Sequence, residues 1–343
     1  MDLEAREIEV LNIIVQAYID YAQPVGSRHV AKKSTLKLSP ASMRNIMADL
    51  TEKGYLTQPH TSAGRIPTQK AFRLFVNSML EPIALSNDSR EAIKNVLAQT
   101  GLDFSELLET TSKLISSQVN QVGMALAPQT KLARWQQLDF SLVRPGLAVA
   151  ILVFQGGIVQ NKLITLDEKI TADDLKKYSN YLNDTFKGQT FLEVRLNLIK
   201  EMQEARDQFN ALYIKALSLI QSAFSEKDNR EIFVDGTLYV FNQIDQHDLS
   251  SMRELLEFLE QRSDLLELLD KVSESSGLLI SFGNEFYGPK LENWTLISTP
   301  YQVKGETMGI IGTLGPINMN YSKVVPLVDY IAKMLTDVLD SRF

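Results

Sequence analysis

The sequence predicts an α+β chain built from several units, and three observations carry that reading. Up to about residue 82, short helical patterns surround a Gly- and Pro-punctuated strand pair. From about 132 the pattern turns to strands and a capped helix, and strands with a closing helix resume after about 278. A mostly helical block separates the two, so the order suggests one α+β domain interrupted by an insertion. At 343 residues the chain has room for two or three domains of roughly 150 residues each.

The first unit is read element by element. From Glu4 to Tyr21, Ile8, Leu11, Ile14, Val15 and Tyr18 share one helical face. Pro24 and Gly26 end the connection, and Ser27 is placed to cap a short helix from Arg28 to Lys33. Ser39-Pro40 opens the next helix: a serine cap followed by proline where a missing N–H is harmless. Met43, Ile46, Met47 and Leu50 form its buried stripe. Ala41, Ser42, Arg44 and Asn45 are left facing outward near its N-terminal end, where a recognition helix enters the major groove. Arg bonds guanine bidentately and Asn bonds adenine. Gly54 stops this helix. Tyr55-Leu56-Thr57 and Ile66-Pro67-Thr68 pair as a wing around the loop 58–65, in which His60, Thr61, Ser62, the Gly64 backbone and Arg65 suit phosphate and minor-groove contact. Ser27, Arg28 and Lys32 are expected at the phosphate backbone. This is a winged helix-turn-helix, closed by a helix from Gln69 to Leu80.

Charge agrees. From Gln23 to Val76 nine basic residues stand against two acidic ones, although the whole chain carries -7. A basic module on an acidic body fits a phosphate-binding head joined to a regulatory body.

Two helical segments are expected between Ser86 and Gln121, broken at Gly101. Strands follow at 135–140, 147–154 and 158–166, the last two turned by Gly156-Gly157. Thr171 with Asp174 reads as a capping box for a helix to about Phe186. Between Leu192 and Phe224, Met202 and Phe209 belong to one seven-residue repeat, and Leu212 and Leu219 to the repeat beside it. Such a seam suits either helix pairing between chains or one face of an internal helix. Residues 232–240 read as a hairpin about Asp235-Gly236, and 249–272 as one helix. Strands are expected at 278–282, 294–303 and 308–314, then a helix from Ser322 to about Leu339.

Other classes find little support. With 44% hydrophobic and 22% charged residues the composition is that of a soluble globular protein. The longest apolar run, Leu147 to Phe154, is short of the ~20 residues that span a bilayer, so no membrane partner is expected. The acidic start lacks an apolar stretch of the secretory kind. Zero cysteines exclude disulfides and thiolate metal sites, and three histidines give a metal site little to build on. The compartment is expected to be cytoplasmic. No phosphate-cradling glycine motif, no G-x-S-x-G elbow and no H-E-x-x-H is present. No enzyme and no cofactor are expected.

Three segments, Pro24 to Arg28, Ser39 to Met47 and the wing string Gln58 to Thr68, together resemble the HrcA family of bacterial heat-inducible transcription repressors. Trp135 to Phe140, Val234-Asp235-Gly236 and Gly315 to Tyr321 resemble further segments of that family. The family usually has arginine where this chain has Asn318, which puts any role of that charge in doubt. The resemblance implies a winged-helix head, a GAF-like α/β domain and a dimerising insertion. Expected boundaries are 1–82 for the DNA-binding head, 83–130 for linker helices, 131–200 with 278–343 for the GAF-like domain, and 201–277 for the insertion, with Met202, Phe209, Leu212 and Leu219 at the dimer seam. It further implies a homodimer on the inverted-repeat CIRCE operator of chaperone operons, kept active by the GroEL chaperonin. The alternative is a regulator gated by a small effector bound in the GAF-like domain.

Overall fold

The computed structural model describes residues 3–60, 63–78, 80–101, 103–128, 134–155, 158–190, 193–194, 230–241, 249–273, 277–286, 288 and 291–342. Helix and sheet mix throughout in an α+β arrangement. The Gly156-Gly157 turn and the seam residues Met202, Phe209, Leu212 and Leu219 lie outside the described residues.

The head comprises α1 (Ala5–Tyr21), α2 (Ser27–Lys33), α3 (Pro40–Glu52), the antiparallel pair β1 (Leu56–Thr57) and β2 (Ile66–Pro67), and α4 (Gln69–Ser78). Val10, Leu11, Ile14 and Val15 of α1 meet Val30, the α3 stripe Met43, Ile46, Met47 and Leu50, and Phe72 and Phe75 of α4 in one core. Burial of these side chains, each contributing about 1.5–3 kcal/mol, outweighs the weak helix propensity of the β-branched residues in α1.

In the body, α5 (Asn87–Gln99) and α6 (Phe104–Val119) precede a five-stranded antiparallel sheet of order β7-β3-β10-β9-β8. Its strands are β3 (Val122–Leu126), β7 (Ile232–Asp235), β8 (Leu279–Phe282), β9 (Trp294–Val303) and β10 (Glu306–Pro316). Period-two alternation divides its residues between two cores. Ile297, Tyr301, Val303 and Ile311 join α5, α6 and the closing helix, while Met124, Leu296, Ile310 and Leu314 face a separate helical layer that includes Leu255, Phe258, Leu265 and Leu269. A second sheet of three strands, β4 (Trp135–Arg144), β5 (Leu147–Phe154) and β6 (Val159–Thr165), is backed by α7 (Ala172–Phe186). Thr171 caps α7 with the expected reciprocal box to Asp174.

Four details differ from the sequence expectation. β3 was not foreseen. It is fully buried, and Gly123 lets α6 press onto it, since a Cβ there would collide with the Ser112 carbonyl. Second, the Asp235-Gly236 turn makes no hairpin. Gly236, at φ 85°, turns the chain from β7 into a short helix, α8 (Thr237–Phe241), and Ser116 bonds Asp235 there. Third, the single helix expected over 249–272 is two, α9 (Leu249–Glu260) and α10 (Arg262–Ser273). The Gln261 carbonyl accepts from Asp264 and Leu265 and starts α10 afresh, so both helices lay leucines on one sheet face. Fourth, β4–β6 do not share a sheet with the strands after 278. Among the described residues they pair only with one another, and β7, expected inside the insertion, pairs with β3 instead.

The short α11 (Gly283–Phe286) follows β8, and α12 (Tyr321–Arg342) closes the chain. Head and body meet where Phe72 packs against Phe282 and Tyr321, ring centroids 6.5 and 6.2 Å apart. Tyr321 is wholly buried, and burial pushes its phenol well above the ordinary tyrosine value.

Candidate nucleic-acid interface

α3 is fixed so that one face stays open. The Ser39 Oγ accepts from the Ser42 N–H at 3.2 Å and Pro40 takes the first turn. Burial of the apolar stripe leaves Ala41, Arg44 and Asn45 exposed and Ser42 half-buried. The Ser39 and Ser42 hydroxyls lie 3.1 Å apart, so both serines serve the helix start. In α2 the cap falls at Gly26 rather than Ser27: Gly26 is extended, while Ser27 is already helical and makes no side-chain cap bond. Ser27 is half-buried. Arg28 and Lys32 are exposed one helical turn apart.

The basic residues of the head fall into two groups. Among the described residues, Arg28, Lys32 and Arg44 have no ion-pair or hydrogen-bond partner. Lys37 is also exposed, in the turn between α2 and α3 with φ 51°, and was not singled out from the sequence. Lys33 is exposed and likewise unpartnered among the described residues; Lys53, Arg65, Lys70 and Arg73 are engaged. Lys53 donates to both Glu7 oxygens at 2.7 and 2.8 Å. Arg65 Nε donates to Thr51 Oγ1 at 3.1 Å, tying wing to α3. Lys70 donates to the Lys53 carbonyl at 3.0 Å and lies 4.2 Å from the Tyr55 ring centre. Arg73 pairs with Glu285, donates to the Ile280 carbonyl at 2.8 Å and stacks 4.6 Å over Phe282.

The wing is set by backbone. Val25 and Arg65 exchange both N–H···O bonds at 2.9 Å. A Cβ on Gly64 would strike the Val25 carbonyl, so Gly64 permits this approach. His60 is exposed at the loop tip, and Thr61 and Ser62 lie outside the described residues.

Two carboxylates that the amphipathic pattern left unremarked hold this geometry. Glu7 is almost fully buried, accepts from its own cap residue Glu4 at 2.8 Å, and receives Lys53 from the end of α3. The Lys53 hydrogen bond, then the Glu4 backbone, hold its carboxyl below the ordinary value against the opposing effect of burial. Glu9 accepts from Ser34 Oγ and the Thr35 N–H, both at 2.7 Å, and pins the α2–α3 turn. Those bonds, Ser34 foremost, depress its pKa as well. The only sequence sign of Glu7 was its place three residues after Glu4, as in a capping box. Among the described residues no group of three or more His, Asp or Glu side chains is placed to hold a metal ion.

A helical head with an open cationic face, carried on a larger α+β body, is the architecture of a regulator with a separate recognition unit. The chain belongs to the HrcA family: the family model described as HrcA protein C terminal domain matches residues 105–325. The heat-inducible transcription repressor HrcA of Nitratidesulfovibrio vulgaris strain Miyazaki F is 39% identical, the match covering 99% of this chain and 97% of that protein. That of Geobacter sulfurreducens is 37% identical over 99% of both. The crystal structure of a hypothetical protein aligns over 100% of both chains at a TM-score of 0.63 and 22% identity, showing a shared fold.

Proposed function

We propose that this chain is a transcriptional repressor of heat-shock chaperone operons of the groE and dnaK type, binding an inverted-repeat CIRCE operator as a homodimer. Its head, residues 1–82, acts as a winged helix-turn-helix. Arg44 and Asn45 read base edges with Ala41 and Ser42 in close contact. Arg28, Lys32, Ser27 and the wing loop from His60 to Gly64 hold phosphates, while Arg65 ties that loop to α3. The observation that carries this reading is that, among the described residues, Arg28 and Lys32 on α2 and Arg44 on the open face of α3 are exposed and unpartnered. Cations that neutralise phosphates release the counterions condensed on DNA, which supplies sequence-independent affinity.

Membership of the family supports the GAF-like reading of the five-stranded domain and control by the GroEL chaperonin. The strand order supports a revised division in which β4–β6 and α7, not 201–277 alone, form the inserted unit between β3 and β7. Pairing of two copies is supported by the outer face of that unit. Val149, Ile151 and Val153 of β5 are only half-buried there, and Val159 and Leu163 of β6 are 56% and 62% exposed. A gel-shift titration against the inverted repeat and a scrambled duplex, with and without chaperonin, tests the proposal. Preference for the repeat that strengthens with chaperonin is expected; equal, salt-sensitive binding to both duplexes contradicts it.

A further inference from the structure

A cleft of about 490 Å³ opens between head and body. Its walls come from the C-terminal half of α1, from α2, from the segment after α4 and from the start of α12. The Ile83 N–H bonds the Ser322 carbonyl at 2.8 Å, so the segment after α4 is stitched to α12 at the cleft itself. The size suits a small molecule, for which sites usually run to about 300–1,000 Å³.

The lining has a definite chemistry. Asp20 and Glu81 supply carboxylates; Lys33 supplies an ammonium; Asn320 and Ser322 supply neutral polar groups. Asp20 lies in the last turn of α1, where unsatisfied carbonyls favour a positive charge. Two large apolar side chains stand unusually open on the walls, Tyr21 at 65% and Ile83 at 51% exposure. Apolar surface left in water beside convergent charges of both signs is better matched by a ligand than by solvent.

We propose that this cleft binds a small zwitterion with an aromatic or branched aliphatic body, of amino-acid or dipeptide size. Its ammonium lies against Asp20 and Glu81, its carboxylate against Lys33 and the Ser322 hydroxyl, and its apolar body covers Tyr21 and Ile83. The site joins α2 to α12: the short helix that carries Arg28 and Lys32 also lines the cleft through His29 and Lys33. A bound molecule therefore restrains the head on the body. That regulatory meaning, though not the binding, rests on the DNA-binding reading above.

The test is calorimetric and needs no DNA, so its failure is separate from any failure of DNA recognition. The full chain is titrated with L-phenylalanine and the dipeptide leucyl-phenylalanine, and with their N-acetyl and C-amide forms. At least one free zwitterion is expected to bind and, at saturation, to raise the Tm by roughly 2–4 °C. Blocking either end should weaken binding at least tenfold. Asp20→Asn should do the same for the free zwitterion by weakening ammonium recognition, and Lys33→Met by weakening carboxylate recognition. Both residues are exposed, so the variants should fold; Ile83→Trp, filling the cleft from its rim, is a third check and should abolish binding. No heat with any free zwitterion, equal binding of blocked and free forms, or unchanged affinity in these variants would overturn the proposal.

Discussion

In the head, Arg28, Lys32 and Arg44 are exposed and without partners among the described residues, whereas Lys53, Arg65 and Arg73, from the same basic stretch, are bonded to Glu7, Thr51 and Glu285. Sequence counts all six alike. The fold gives them different work: the first three are available to an anion, and the last three fasten α3, the wing and α4 in place. A cation already paired has less to gain from a phosphate than a free one, and leaving its partner alone carries a cost. Basic composition therefore overstates the cationic surface left open to an anion.

The largest expected effect lies on the fastening side. Phe282→Ala removes the ring that Phe72, Arg73 and Tyr321 share, and should lower stability by about 3–5 kcal/mol in urea unfolding. Its operator-to-random binding ratio should stay as in the parent chain. Gly64→Ala forces a methyl into the Val25 carbonyl and should cost about 1–3 kcal/mol of stability. If Gly64 instead served mainly as a phosphate contact, DNA affinity would fall with stability untouched.

On the open side, Arg44→Ala should lose about 1–3 kcal/mol on operator DNA and little on random DNA. Equal losses on both would reduce Arg44 to a phosphate contact. The smallest effect concerns pH. Glu7 and Glu9 have folded pKa values depressed below their unfolded ones, so their contribution is full above the unfolded carboxylate value of about 4.3. It is lost as pH falls through the folded values. Tm should therefore decline in acid, and Glu7→Gln with Glu9→Gln should flatten that decline; an unchanged profile would remove both carboxylates from the head's stability.

Much of this was legible in the residues. Ser39-Pro40 announced α3, its i, i+3, i+4, i+7 stripe named the buried side, and Thr171 with Asp174 announced α7, because caps and periodicity are local. Trp294 to Val303 was read to the residue as a strand. What escaped depends on contacts distant in sequence. β3 is five residues long and gains its place only by pairing with β10 and β7. Asp235-Gly236 looked like a hairpin turn because its dipeptide chemistry allows one, but Ser116 on α6 holds Asp235 and the chain leaves as a helix. Glu7 was not singled out from the sequence, because its burial depends on Lys53, far along the chain, closing over it.

The division between free and fastened cations is most directly tested by the salt dependence of operator binding. Each phosphate contact contributes a slope of about -0.9 in log affinity against log salt. The double variant Arg28→Ala/Lys32→Ala should make the slope shallower by roughly two such contacts, and Lys53→Ala/Arg73→Ala should leave it as it is. Equal loss of slope in both double variants would contradict the account, because it would place the fastened cations on the DNA as well.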